Sequence, residues 1–191
     1  VRARLHSRAL MRPEIHRRLL RVPGPNDKRL AVRVTPDALR HVKARHPWVF
    51  EESVTSISHE ADAGDLAVIF DNDRKFVALA LYDPASPIRF RILHVGRPTP
   101  IDAAWWRARI HDAAARRSSL AAVTNAYRIV HGEADGCPSL ICDRYDRSIV
   151  VQLMSAGLEA CRDMIVAAIE SLPDVDGILA RNDVALRRKE Q

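Results

Sequence analysis

Five residues, Gly96-Arg97-Pro98-Thr99-Pro100, set the first limit on how this chain can fold. Two prolines one residue apart lack backbone N–H groups, so neither a helix interior nor a central strand can run through them. The texture differs on the two sides. Before the break the apolar residues recur in short alternating runs; after it, helical spacing joins the strands.

On the first side, Ala31-Val32-Arg33-Val34-Thr35 alternates as a strand. Thr35-Pro36 then reads as an N-cap with proline at the first helical position, predicting a short helix to about Lys43. Asp65–Phe70 and Lys75–Tyr82 flank the turn residues Asp71-Asn72-Asp73 and read as a hairpin. Ile88–Leu93 alternates again: Ile88, Phe90 and Ile92 on one side, Arg89 and Arg91 on the other. Short strands between turns predict a small β-barrel, with Trp48 and Phe50 assigned to its core rather than to its surface. On the second side, Asp102 caps a predicted helix to about Ser119. Strands follow at 125–130, 140–145 and 148–154. Leu158, Cys161, Ile165, Ile169 and Leu172 predict one helix over 156–171, and Gly177–Ala180 a last strand. The fold class is α+β.

The seven glycines contain no Gly-x-Gly pair, and there is no Gly-Lys-Ser/Thr run, so the residues give no dinucleotide or S-adenosylmethionine turn. No apolar run reaches the roughly 18 to 20 residues of a membrane helix. The basic N-terminus does not read as a secretory signal, and three cysteines fit a reducing compartment; a cytoplasmic protein without membrane contact is expected. Cys137, Cys142 and His131 lack paired metal-ligand spacing. His131, Glu133, Asp135 and Asp143 could serve acid–base hydrolysis, but Gly132, Gly136 and Pro138 among them write a structural turn.

Charge points elsewhere. Residues 1–50 hold 13 of the 30 lysines and arginines against three acids, whereas 51–191 hold 17 against 21. A polyanion would account for that polarity. The candidate RNA contacts are Arg45, Arg89, Arg91, Arg33 and Lys43, with the basic arm of residues 1–30, where 13–20 could form a short helix.

Longer strings then matter. Arg45-His46-Pro47-Trp48-Val49-Phe50, Ala63-Gly64-Asp65 and Leu81-Tyr82-Asp83-Pro84-Ala85-Ser86-Pro87-Ile88-Arg89-Phe90-Arg91 resemble the N-terminal PUA domain of the ribosomal RNA large-subunit methyltransferase I family. Thr124–Gly136, with Tyr127, His131, Glu133 and Asp135, then Pro138, Leu140-Ile141 and Asp143-Arg144-Tyr145, is similar to that family's central domain. Val151-Gln152, Arg162-Asp163 and Arg181-Asn182-Asp183 continue the likeness, which covers about 31–191. Ala78, Ala80 and Ser139 stand where the family tends to have glycine; Cys137 and Cys142 replace Leu and an aliphatic residue.

The residue pattern and the resemblance together give the expected domains: a basic extension at 1–30, a PUA-like RNA-binding barrel at 31–95, a linker at 96–102 and a central α+β domain at 103–191. It implies 23S ribosomal RNA as partner and S-adenosylmethionine as the cofactor of the full-length family member. The family chemistry is methylation at cytosine C5 after attack of a cysteine thiolate on C6. The Rossmann-like domain that performs it is expected beyond Gln191, so no cofactor and no catalytic residue is assigned to this chain. Surfaces which that domain would cover could pair two copies as a homodimer. A stand-alone, non-enzymatic PUA-type RNA-binding protein is the competing expectation.

Overall fold

Thr35 ends one strand and starts one helix, and that junction organises the first half. In the computed structural model, which describes residues 28–181, β1 (Leu30–Val34) buries Leu30, Val32 and Val34 and leads into α1 (Pro36–Lys43). Thr35 Oγ1 accepts from the Ala38 amide at 3.3 Å, and Pro36 supplies a helical φ at the first position. Residues 1–27, with the expected helix at 13–20, lie outside the described residues, as do 182–191.

β2 (Trp48–Val49), β3 (Val54–Ile57), β4 (Leu66–Phe70), β5 (Phe76–Tyr82) and β6 (Phe90–Val95) complete a six-stranded sheet in the order β2-β6-β5-β4-β1-β3. β4 and β5 pair as the expected antiparallel hairpin, while β1 runs parallel to β4. The sheet curls as a half-barrel with β2 and β3 as its edges, where the sequence predicted a barrel. Its inner face, with Val32, Ile69, Ala78, Ala80, Phe90 and Ile92, closes on Ala38, Leu39 and Val42 of α1. Burial of that stripe drives the curl.

The second half begins with α2 (Ala103–Ala115), capped by Asp102 Oδ1 accepting from the Trp105 amide at 2.9 Å. The predicted helix to Ser119 is interrupted, and a short α3 (Ser118–Ala121) follows. β7 (Ala126–His131), β8 (Leu140–Tyr145), β9 (Ser148–Leu153) and β10 (Gly177–Ala180) form a sheet in the order β10-β9-β8-β7, antiparallel except for the β9–β10 pair. The predicted helix over 156–171 is two: α4 (Ala156–Glu159) and α5 (Arg162–Glu170). No proline or glycine stands at the break; the packing of α4 against the first half accompanies it.

That packing joins the halves. Leu66, Leu79, Leu81 and Leu93 on the outer face of the curled sheet share one buried core with Trp106 and Ile110 of α2, Cys142 and Val151 of the second sheet, and Ile165 of α5. At the seam two glycines meet: a Cβ on Gly157 would lie 2.8 Å from the Tyr82 carbonyl oxygen, and one on Gly64 would lie 2.3 Å from Ala160 Cβ. Only backbone fits there.

Candidate nucleic-acid interface

Strand β6 decides the fate of the two arginines that alternation placed together. Its inner face carries Phe90 and Ile92. Its other face is covered by the second half at Arg91 and Leu93. Arg91 is 2% exposed and Asp83 1%. Arg91 Nη1 lies 3.6 Å from Asp83 Oδ2, and the guanidinium also reaches the Ile88 carbonyl at 3.2 Å and Ser86 Oγ at 3.4 Å. The Gly157 amide approaches Asp83 Oδ2 at 3.5 Å, tying the pair to α4. Arg89, half-buried, donates to the Pro84 carbonyl and pairs with Glu51. Both arginines therefore brace the 83–91 segment.

The other candidates fall on different surfaces. Arg33 lies on the outward side of β1, half-buried and opposite Ser56 of the edge strand β3. Lys43, at the end of α1, is exposed and 3.7 Å from Asp71 Oδ2. Arg45 is exposed and has a φ of +67°. It occupies the left-handed position after α1: its amide donates to the Val42 carbonyl and the His46 amide to the His41 carbonyl, both at 2.9 Å. Glycine is usual at that place in this motif, so an arginine there carries backbone strain.

Beside Arg45 runs a chain of rings. His41 and His46 have centroids 6.0 Å apart, His46 and Trp48 6.1 Å, and Trp48 and Phe50 6.4 Å, the last two pairs edge to face. Contrary to the sequence expectation, Phe50 is 37% exposed and Trp48 half-buried, while Val49 between them fills the core. Extended backbone through β2 and Phe50 turns the middle residue inward and its two neighbours outward. Exposed rings next to arginine are what unpaired bases stack on.

Three more basic residues, His94, Arg97 and Arg109, come from elements other than the Arg45 loop, and strand and helix patterns gave no hint of them. β2 and β6 pair antiparallel with Trp48 opposite Arg91, and the Ile92 amide donates to the Pro47 carbonyl at 2.8 Å; this carries the Arg45 loop toward the His94 end of β6. A bulge at Leu93, where Ala80 faces Ile92 but Leu79 faces His94, re-aims His94 to the outer face. Arg97 follows in the linker. Arg109 reaches in from α2, with Cζ 5.1 Å from the Trp105 ring centroid and Nη1 against Gly136. Burial lowers the His94 pKa from its ordinary 6.5, and Arg109, Arg45 and Arg97 lower it further against a backbone hydrogen bond at Arg97. Among the described residues, no carboxylate is within ion-pair distance of Arg45, Arg97 or Arg109.

The acidic loop of the second half is engaged internally. Glu133 Oε1 accepts from Trp48 Nε1 at 3.0 Å and from the Ser139 amide at 3.3 Å, another tie across the seam. Asp135 accepts from Arg117 at 2.7 and 2.8 Å, from Arg116 at 2.8 Å and from the His131 amide at 2.6 Å. Burial pushes its carboxyl up, but these hydrogen bonds outweigh that and hold it below its ordinary 3.8. Asp143 holds Arg128 at 2.7 Å. Cys137, Cys142 and Cys161 are buried, and burial pushes each thiol up to about 12, leaving no thiolate at neutral pH.

A curled mixed sheet closed by one helix defines a class, and residues 32–94 match the family model of a PUA-like domain. This chain carries a PUA-like domain. Among curated proteins, the ribosomal RNA large subunit methyltransferase of Deinococcus radiodurans is 44% identical over 140 residues, 70% of this chain and 34% of that protein. Ribosomal RNA large subunit methyltransferase I of Alteromonas mediterranea is 39% identical over 158 residues (81% and 40%), and that of Citrobacter koseri 37% over 148 (76% and 37%). The chain is thus homologous, through the PUA-like domain and the residues that follow it, to the ribosomal RNA large subunit methyltransferase I family. It spans little more than a third of the length of these relatives. Two solved structures share the fold at 15% identity, each covering 80% of this chain and 40% of its own: a Streptococcus mutans protein described as a SAM-dependent methyltransferase (TM-score 0.71), and a methyltransferase complexed with SAH (TM-score 0.70).

Gly157 follows a strand and opens the short helix α4, the place where a nucleotide ligand would need bare backbone. The space beside it is filled by the Tyr82 carbonyl and by Gly64.

Proposed function

We propose that this chain is the RNA-gripping part of a cytoplasmic, S-adenosylmethionine-dependent ribosomal RNA methyltransferase. The methyl-donor site and the cysteine nucleophile for cytosine C5 would lie on polypeptide beyond this sequence. The homology over 70 to 81% of the chain to ribosomal RNA methyltransferases carries the reading. The geometry adds a surface suited to it: exposed Arg45, the ring chain His41–His46–Trp48–Phe50, and Arg33 and Lys43 on the same half. Arginine and lysine hold phosphates, and rings take up bases splayed from a loop. Arg89 and Arg91 would act indirectly, by fixing the 83–91 segment.

The test is binding of the full chain to a fluorescein-labelled hairpin from 23S ribosomal RNA, followed by anisotropy across a salt series. The expected plot of log affinity against log salt falls linearly, with a slope of about −0.7 to −0.9 per phosphate contacted. A flat plot, or equal affinity for a neutral-backbone analogue, would overturn the reading.

A further inference from the structure

One end of the second sheet carries a cavity of about 660 Å³. The connection from α3 into β7, the turn between β8 and β9, and the loop from α5 to β10 enclose it. Its floor holds Tyr127, half-buried and packed on the main core, and Arg144, which faces Tyr127 across the β7–β8 pair. Val123, 81% exposed, stands at the rim. The volume lies within the roughly 300 to 1,000 Å³ of sites that take small organic groups. A second cavity of about 340 Å³ shares Tyr127 and Arg144 and reaches Tyr145, whose ring is 55% exposed.

Hydrogen bonds between these segments fix the walls. Arg144 Nη1 donates to the Asp146 and Asp174 carbonyls at 3.1 and 3.3 Å, and Nη2 to the Pro173 carbonyl at 2.8 Å; Nε is buried. Arg147 pairs with Asp176 at 2.9 Å and with Asp174 at 3.4 Å. The Asp146 amide donates to the Asn125 carbonyl at 2.6 Å, which holds these two lining residues side by side. Asp146 and Asp174 have φ of +56° and +55°, so two aspartates of the lining sit in left-handed backbone.

What the walls offer decides the ligand. Of its five N–H groups Arg144 has one left, enough for a single acceptor and too few for the two parallel bonds a phosphate takes. Arg147 is matched by its aspartates. By contrast, the Asp146 carboxylate and the Asn125 side-chain amide make no hydrogen bond or ion pair among the described residues. The cavity therefore suits a flat, uncharged group with two adjacent donors for a carboxylate and an acceptor for an amide. Among RNA bases only guanine has that edge, with N1–H and N2–H beside O6. Adenine and cytosine place one amino donor beside an acceptor, and uracil one N–H between two carbonyls.

We infer that this cavity receives one unpaired guanine of a bound RNA, with the base on Tyr127, N1–H and N2–H donating to Asp146, and O6 accepting from Asn125. The inference rests on the RNA-binding reading and extends it to the second half, outside residues 32–94. The adjoining cavity offers the Tyr145 ring to the neighbouring base.

The experiment uses the full chain and three fluorescein-labelled hairpins alike except at one loop position, which is guanine, inosine or adenine. Inosine keeps N1–H and O6 and lacks the N2 amino group. Wild type is expected to bind the guanine loop about 10-fold more tightly than the other two, at the same salt slope. Asp146→Asn keeps a residue that tolerates left-handed backbone and is expected to bring all three within about twofold. Asn125→Ala should narrow the preference as well. Asp163→Asn, exposed on α5 and outside the cavity lining, should keep it; melting temperatures verify folding. If wild type binds the three hairpins equally with a normal salt slope, or Asp146→Asn keeps the preference, the guanine site is wrong and the RNA reading survives. If no hairpin binds, the RNA reading falls and guanosine monophosphate decides the site. Chemical-shift changes at Tyr127 that vanish in Asp146→Asn then uphold a guanine site for a free nucleotide, and their absence in wild type overturns it.

Discussion

Two sets of arginines in this molecule lie within a few residues of each other and live opposite lives. Arg91, Arg116 and Arg117 each have a buried carboxylate, Asp83 or Asp135, and serve the seam between the halves or the loop beside it. Arg45, Arg97 and Arg109 have no carboxylate partner among the described residues, and Arg45 and Arg97 are exposed. The difference teaches that a basic residue on a strand's polar face is not thereby available. The face must also be uncovered, and the neighbouring acids must be absent. Neither condition is local in sequence.

The contrast can be broken most forcefully at Asp83. Asp83→Ala removes the carboxylate 3.6 Å from the buried Arg91 cation and should cost about 3 to 5 kcal/mol of stability, read by urea unfolding. RNA affinity of the folded fraction should be unchanged; a large affinity loss at full foldedness would place Arg91 in the other set. Asp135→Asn should cost about 2 to 3 kcal/mol at pH 7. The folded pKa of Asp135 lies below 3.8, so its contribution is complete above that value and drains as pH falls through the folded one. The variant should therefore lose stability less steeply than wild type on acidification, and parallel acid limbs would contradict the assignment.

Arg45→Gly sharpens the comparison because its two expected effects have opposite signs. Removing the side chain from a left-handed position should stabilise the fold by about 1 kcal/mol while weakening hairpin binding several-fold. A variant that is less stable, or that binds as tightly, would remove Arg45 from the RNA surface. The smallest effect is expected at Lys43. Its charge already has Asp71 at 3.7 Å, so Lys43→Gln should alter affinity less than twofold, and a tenfold loss would show that RNA displaces Asp71.

Much of the fold could be read before any coordinates. Thr35-Pro36 fixed both ends of the transition from β1 to α1, and the hairpin at 66–82, β8 and β10 stand where alternation put them. The two shortest edge strands escaped, because β2 has two residues and Val54-Thr55-Ser56-Ile57 leaves its middle pair in solvent. The split between α4 and α5 escaped because Leu158, Cys161 and Ile165 keep helical spacing straight across it. Arg45 was legible as a candidate from charge and position. His94, Arg97 and Arg109 were not, since one stands at a bulge, one after a glycine turn and one on a helix 12 residues further on, and none of these places carries a strand or cap signal. Ser139 is a partial exception: it stands where the family tends to have glycine, and its φ of +64° explains that preference.

The glycine-on-glycine contact at Gly64 and Gly157 has a thermodynamic consequence for any ligand that touches both halves. Backbone against backbone leaves no rotamers to rearrange and little room for one layer to glide over the other. The two surfaces are preorganised, and a polyanion laid across them meets a finished mould instead of assembling one. Association should then carry only a small entropic charge from the protein itself, with most of the ordering falling on the ligand.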